Sequence, residues 1–150
     1  MYIVLSYTFP TIILPSSSNF SHYKYRFTMP DWMPNDTKSS QDLSMFYSFD
    51  LGPVHFISLN TEYYYWLNYG AHSLIRQYNW LINDLKQANL PENRSKRPWI
   101  VIFGHRPMYC SSNDNDDCTH FSTRLRIGIP FFHIFGVEDL LMEYNVDLGK

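Results

Sequence analysis

The sequence predicts an α/β fold, and three observations support this prediction. Two stretches rich in aromatic and aliphatic residues, 45–51 and 54–60, flank the dipeptide Gly52-Pro53, a pattern typical of two strands joined by a tight turn. Apolar residues then recur at helical spacing between 71 and 90. The successive apolar residues 99–103 are typical of a strand covered on both faces. A chain of 150 residues, 45% of them hydrophobic, can bury one substantial core with these elements.

The elements of the first part follow from local composition. Residues 28–44 contain two prolines among many turn-forming residues and predict a surface loop, which the two strands follow. The stretch 61–70 is ambiguous. A helix is predicted from Ala71 until Pro91 stops it, because proline cannot continue a helix. Its apolar stripe is predicted to comprise Leu74, Tyr78, Leu81, Leu85 and Ala88, with Ile75 and Ile82 beside them.

The elements of the second part alternate between strand and helix. Residues 91–97 predict a polar loop, 99–103 a strand, 136–145 a helix and 146–148 the beginning of another strand. This alternation is typical of βαβ units in an α/β domain. Because the chain stops inside its last predicted strand, we expect it to be a truncated domain.

His105 is the sharpest candidate for a functional residue, because it directly follows the predicted strand 99–103. Ligands of open α/β sheets bind beyond the carboxyl ends of strands, and imidazole is a ligand that Zn, Fe and Mn accept. A lone histidine can equally serve as a structural hydrogen-bonding group, so the pattern leaves both interpretations open. His120 is the other histidine placed to reach the same end of the strand.

Cys110 and Cys118 bracket a loop of seven residues behind His105. A disulfide could close this loop, and two free thiols are the alternative. A zinc site is disfavoured because the two cysteines do not have CxxC spacing. The acidic run 114–117 does not have the glycine and glutamate that a calcium-binding loop requires, and it indicates a solvated loop.

Three glycosylation sequons, at Asn19, Asn35 and Asn93, favour a secreted protein. Residues 1–18 carry no charge, but they have no basic start and Pro10 interrupts them. A signal peptide, a strand or ragged terminus, and residues foreign to the domain are all compatible with this segment, which is too short and broken to span a membrane. The net charge of −2 and the pI near 6.3 give no electrostatic indication of nucleic-acid binding.

Six segments, taken together, resemble the purple acid phosphatases, and most closely the animal type 7 group. They are NFSHYKYRFTMP, FYSFDLGPVHFISLNTE, RQYNWLINDLKQAN, RPWIVIFGHRPMYCS, DDCT and GVEDLLMEYNVDL, in the family's order and spacing. The resemblance implies a four-layer αββα metallophosphoesterase sandwich, with two packed β-sheets and helices on both outer faces. It also implies hydrolysis of small phosphate monoesters at acid pH by a dinuclear centre of Fe and a divalent metal (Zn, Mn or Fe). A secreted or extracellular location is implied as well.

The resemblance assigns roles to particular residues. It implies that His105, in VIFGHRP, binds the divalent metal, and that the loop of Cys110 and Cys118 belongs to the catalytic domain. His120 becomes a candidate for contact with the substrate phosphate, although Phe121 occupies the position at which the family carries a histidine.

The family's GD-x-x-Y, GNH and GH-x-H motifs are absent from these 150 residues. The resemblance therefore implies part of a catalytic domain, 19–150, preceded by an unrelated segment, 1–18. Two functions from different classes follow: an acid phosphatase represented by an incomplete catalytic domain, or a non-catalytic secreted remnant or binding module of the same fold. For the chain alone we expect neither a dinuclear metal centre nor phosphatase activity, because one histidine cannot hold two metals.

Overall fold

A three-stranded sheet and one long helix form the centre of the computed structural model, which describes residues 45–111, 123–129 and 134–147. The strands are β1 (Tyr47–Leu51), β2 (Val54–Leu59) and β3 (Trp99–Gly104), in the order β1-β2-β3. β1 pairs antiparallel with β2, and β2 pairs parallel with β3. A parallel pair requires a crossover connection, which the helical segments between β2 and β3 provide. The predicted α/β class is confirmed.

The crossover contains a 3₁₀ helix (Thr61–Tyr64), helix α1 (Leu67–Ala88) and the short helix α2 (Pro91–Arg94). After β3, residues 123–127 are helical. The two-residue strands β4 (Gly128–Ile129) and β5 (Ile134–Phe135) form a second, antiparallel sheet, and helix α3 (Glu138–Glu143) follows. None of the described helices combines the length and the apolar character that crossing a membrane requires.

The predicted hairpin of β1 and β2 is confirmed, with Leu51 paired to Val54 across the turn. Gly52 adopts a φ of +56°, which glycine tolerates at the first central position of a tight hairpin turn and other residues adopt only at a cost. The register places Ser48 opposite Ile57 and Asp50 opposite His55. Because side chains alternate along a strand, these four side chains share one face of the sheet.

Helix α1 covers that face, but its buried surface differs from the predicted stripe. Leu74, Leu81 and Leu85 of the predicted stripe are buried, whereas Ile75, which was placed beside it, is 43% exposed. Gln77 and Asp84 are buried although they are polar. Periodicity of apolar residues could not reveal them, because their burial depends on hydrogen-bonding partners in the sheet.

Gln77 shows how such a partner works. Its Oε1 accepts a hydrogen bond from the backbone N–H of Asn60 at 2.7 Å, and its Nε2 donates to the backbone carbonyl of Asn60 at 3.2 Å. The side-chain amide therefore satisfies both backbone groups of the residue that follows β2, where the sheet ladder has ended. Helix α1 is fixed to the carboxyl end of β2 by this pair.

The predicted loop 91–97 is wrong in part, because Pro91–Arg94 is helical. Proline fits the first turn of a helix, where its missing N–H has no helical partner, and Pro91 stands in that position. The predicted strand 146–148 is not formed at 146 and 147, and Leu148 lies outside the described residues. The backbone N–H of Asp147 nevertheless donates to the carbonyl of Ile100 at 3.0 Å, so Asp147 lies alongside β3.

Candidate functional site

The described part of the candidate site lies where the parallel strands β2 and β3 end. The register pairs Leu59 with Gly104, the last residues of the two strands. His105 is exposed and directly follows β3, so it stands at the carboxyl edge of the sheet, as the sequence predicts. Parallel strands end at a common edge, and the residues after β2 therefore become the neighbours of His105.

Gly104 allows this edge to close tightly. A Cβ atom at Gly104 would lie 2.6 Å from Thr61 Cγ2, which is too close for a side chain, and 3.1 Å from the carbonyl oxygen of Leu59, which is a tight contact. The backbone N–H of Arg106 donates to Thr61 Oγ1 at 2.9 Å. Thr61 thus touches the residues on both sides of His105.

Arg106 and Glu62 connect the two strand ends by a second route. Arg106 Nε donates to Glu62 Oε1 at 2.7 Å and Arg106 Nη2 donates to Glu62 Oε2 at 3.2 Å, which is a bidentate pair. The Arg106 guanidinium carbon also lies 4.4 Å from the centre of the Tyr65 ring. Trp66 Nε1 donates to Glu62 Oε2 at 3.1 Å, so both partners are held in place.

The loop after His105 is anchored to α3 by Tyr109. The Tyr109 hydroxyl donates to Glu138, which Arg126 also approaches, at 3.2 Å from Nε to Oε2. The Arg126 guanidinium lies 4.7 Å from the centre of the Tyr109 ring. The hydrogen bond with Tyr109, assisted by Arg126, lowers the pKa of the Glu138 carboxyl. This carboxylate therefore stays charged in mildly acid solution and keeps the loop attached.

The described residues include some of the other predicted site residues and not others. His120, Cys118, Asn19 and Asn35 lie outside the described residues. Cys110 carries no free thiol in the structure, and its pairing with Cys118 stays a prediction. Asn93 lies on α2, where its Nδ2 donates to the carbonyl of Gln87 at 2.8 Å, and its glycosylation also stays a prediction.

A second polar cluster, which the sequence did not single out, lies at the opposite end of the sheet. Asp84 is 1% exposed and accepts hydrogen bonds from Ser48 Oγ at 2.8 Å and from His55 Nε2 at 2.9 Å. His55 Nδ1 lies 2.7 Å from Asp50 Oδ1. Arg97 Nε lies 3.0 Å from Asp50 Oδ2, although its N–H does not point at that oxygen. The cluster borders a cleft of about 180 Å³.

The geometry of this cluster determines the protonation of His55. Each ring nitrogen faces a carboxylate oxygen, and only the doubly protonated imidazolium can donate to both. Burial alone lowers the pKa of His55, but the hydrogen bonds and charges of Asp84 and Asp50 outweigh it, and the pKa is raised above 6.5. His55 therefore contributes stability that is complete below pH 6.5 and is lost as the pH rises through the raised pKa.

We predict that the variant His55→Gln removes this pH dependence. Glutamine retains hydrogen-bonding capacity but does not titrate, so the stability difference from the wild type should shrink as the pH rises from about 5 to about 8. Chemical denaturation of both proteins over this range measures the difference. The variant His72→Gln, on an exposed residue of α1, is the control and should follow the wild type. A constant difference between wild type and His55→Gln would contradict the prediction.

Among the described residues at the candidate site, the imidazole of His105 is the donor best suited to a metal, because the Glu62 carboxylate is paired with Arg106. The described residues contain no group of three or more His, Cys, Asp or Glu side chains arranged to hold a metal ion. The residues around His105 that sequence reasoning missed are Thr61, Glu62 and Arg106. Their position in the sequence could have indicated them, since all three come shortly after stretches predicted to be strands of one domain.

An exposed histidine beyond a parallel strand occupies the ligand-binding position of α/β folds, and the comparisons with known proteins make the class specific. The chain belongs to the purple acid phosphatase family. It is 49% identical over 138 residues to acid phosphatase type 7 of Danio rerio, covering 87% of this chain and 28% of that protein. It is 49% identical over 130 residues to acid phosphatase type 7 of Mus musculus, covering 87% of this chain and 27% of that protein.

A plant relative, probable inactive purple acid phosphatase 9 of Arabidopsis thaliana, is 39% identical over 93 residues, covering 60% of this chain and 13% of that protein. The chain thus spans less than a third of the length of these curated relatives. No family model matches the chain, and no solved structure matches it.

Proposed function

We propose that this chain forms part of the catalytic domain of an acid phosphatase that hydrolyses small phosphate monoesters, with His105 as one ligand of the divalent metal in a dinuclear centre. The observation that supports this most directly is the position of His105, exposed at the carboxyl edge of the sheet with its neighbours fixed on both sides. The proposed domain comprises residues 19–150, and residues 1–18 are proposed to lie outside it. Similarity to the type 7 acid phosphatases supports the activity.

The chemistry of the edge fits one metal ligand and not a complete centre. A neutral imidazole is a common ligand of Zn and Fe, whereas a dinuclear centre needs several converging donors that the described residues do not supply. When bound, Fe and a divalent metal (Zn, Mn or Fe) supply Lewis-acid polarisation of the phosphate ester. This chain's own contribution is the imidazole of His105, and the hydrogen bond from the Arg106 N–H to Thr61 fixes the backbone next to it.

We also propose the four-layer αββα sandwich for the complete domain. One face of the sheet packs against α1, and the opposite face is aromatic and aliphatic. Phe49 and Phe56 stack on it at 5.2 Å between ring centres, while Trp99 is 54% exposed and Leu51 is 65% exposed. Such a face is suited to packing against a second sheet. The sequence predicted that β3 is covered on both faces. Among the described residues nothing covers Trp99 fully, so its exposure departs from that prediction.

The proposal also assigns roles to the remaining predicted residues. His120 is proposed to contact the substrate phosphate, and Cys110 and Cys118 to form a disulfide. Asn19, Asn35 and Asn93 are proposed as glycosylation sites of a secreted glycoprotein. The proposed disulfide and the proposed glycans are consistent with each other, because both modifications are made in the secretory pathway.

The proposal is tested by replacing His105 with alanine in the full-length protein. Loss of one ligand should reduce metal binding and phosphatase activity by more than the roughly 10–100-fold typical of outer-sphere partners. Metal content is measured by elemental analysis and activity with a synthetic phosphate monoester. The variant His72→Ala is the control, because His72 is exposed on α1. Full metal content in His105→Ala would refute the assignment.

A non-catalytic secreted module of the same fold is the second candidate. The similarity to a plant relative that is named a probable inactive purple acid phosphatase supports this second candidate. The full-length protein would then bind metal or phosphate without turnover. Hydrolysis of a phosphate monoester that depends on His105 excludes this alternative.

A further inference from the structure

The ion pair between Glu62 and Arg106 connects the ends of two strands beside the proposed metal ligand, His105. The two residues lie 44 positions apart in the chain. Glu62 comes shortly after the end of β2 and Arg106 shortly after the end of β3, and these two strands are parallel neighbours. Arg106 is also the residue immediately after His105. Whatever fixes Arg106 therefore fixes the backbone from which the His105 imidazole projects.

Four contacts restrain this short stretch of backbone. The Arg106 N–H is bonded to Thr61, and its guanidinium is bonded bidentately to Glu62 and lies over the Tyr65 ring. Trp66 donates to the same carboxylate of Glu62. The planar guanidinium fork matches the two carboxylate oxygens, so the pair fixes an orientation as well as a distance.

We propose that Glu62 and Arg106 are positioning residues that hold His105 in the orientation required for metal binding. This inference rests on the proposed function, because it assumes that His105 is a ligand. Glu62 is 32% exposed and Arg106 is 18% exposed. The pair is partly buried, so solvent screens it in part and its contribution to global stability is smaller than that of a fully buried pair. This favours a local role in geometry over a role in the folding of the domain.

The test is Zn²⁺ binding by the full-length protein after removal of its metals. The variant Glu62→Gln keeps the shape of the side chain and removes its charge, and we expect Zn²⁺ affinity to fall about 10–100-fold. The thermal unfolding midpoint of the metal-free protein should remain close to that of the wild type. The charge-swapped double variant, Glu62→Arg with Arg106→Glu, should recover part of the affinity, which a purely structural loss would not explain. The variant Asp50→Asn is the matched control, because it breaks an arginine ion pair at the opposite end of the sheet.

The results separate this inference from the proposed function. If His105→Ala weakens Zn²⁺ binding and Glu62→Gln does not, the positioning role is wrong and the ligand role stands. If His105→Ala also leaves Zn²⁺ binding unchanged, the ligand role fails and the positioning role fails with it. A fall in the unfolding midpoint of Glu62→Gln that matches its loss of affinity would show a structural role only.

Discussion

Replacing Asp84 with alanine should destabilise the protein by about 3–5 kcal/mol, the cost typical of removing one partner from a buried ion pair. The Asp84 side chain is 1% exposed and connects helix α1 to both strands of the hairpin. Without it, the buried Ser48 hydroxyl and the Nε2 of His55 lose their acceptor. A buried polar group without a partner retains its full desolvation cost.

The matched control is Asp50→Ala, which removes the other carboxylate bonded to His55. Asp50 is 42% exposed, so solvent screens its interaction and replaces it after mutation. The expected loss is therefore below about 1 kcal/mol. Unfolding free energies from chemical denaturation measure both variants, with hydrogen exchange of the β2 amides as a local measure. Equal losses in the two variants would show that burial of Asp84 does not control its contribution.

The pH dependence of His55 and the cost of losing Asp84 have one cause. Asp84 is buried as a hydrogen-bond acceptor, and an imidazolium supplies the compensating charge. This arrangement is stronger in acid solution than in neutral solution, because the pKa of His55 is raised. A domain proposed to work at acid pH would therefore keep its hairpin attached to α1 under those conditions.

The elements that could be predicted from the sequence are those determined by neighbouring residues. The hairpin at Gly52, the helix ending before Pro91 and the strand before His105 all follow from local composition. The position of His105 follows as well, since a strand end is a local feature.

The elements that could not be predicted depend on residues distant in the chain. Asp84 is buried because Ser48, 36 positions away, and His55, 29 positions away, donate to it. The Glu62–Arg106 pair requires the parallel register of β2 and β3, which periodicity does not reveal. Polar pairs of this kind carry no apolar pattern, and the sequence therefore indicated α1 through its apolar residues alone.

Gly104→Ala should have the second large effect, because the new methyl group would collide with Thr61. The Cβ atom would lie 2.6 Å from Thr61 Cγ2 and 3.1 Å from the carbonyl oxygen of Leu59, so the Thr61 side chain or a strand end must shift. Overpacking of this kind costs about 1–3 kcal/mol. Because His105 follows directly, we also expect weaker Zn²⁺ binding in the full-length protein.

The variant Thr61→Ser provides a specific rescue, since serine keeps the hydroxyl that accepts from Arg106 and removes the methyl group that collides. The double variant should recover stability, measured by denaturation, relative to Gly104→Ala alone. Gly52→Ala is the control, because its φ of +56° penalises alanine by about 1–2 kcal/mol although nothing lies within 4 Å of its Cβ position. Thr61→Ser cannot relieve that backbone strain. Rescue of Gly52→Ala, or no rescue of Gly104→Ala, would mean that contact with Thr61 does not determine how β2 and β3 end together.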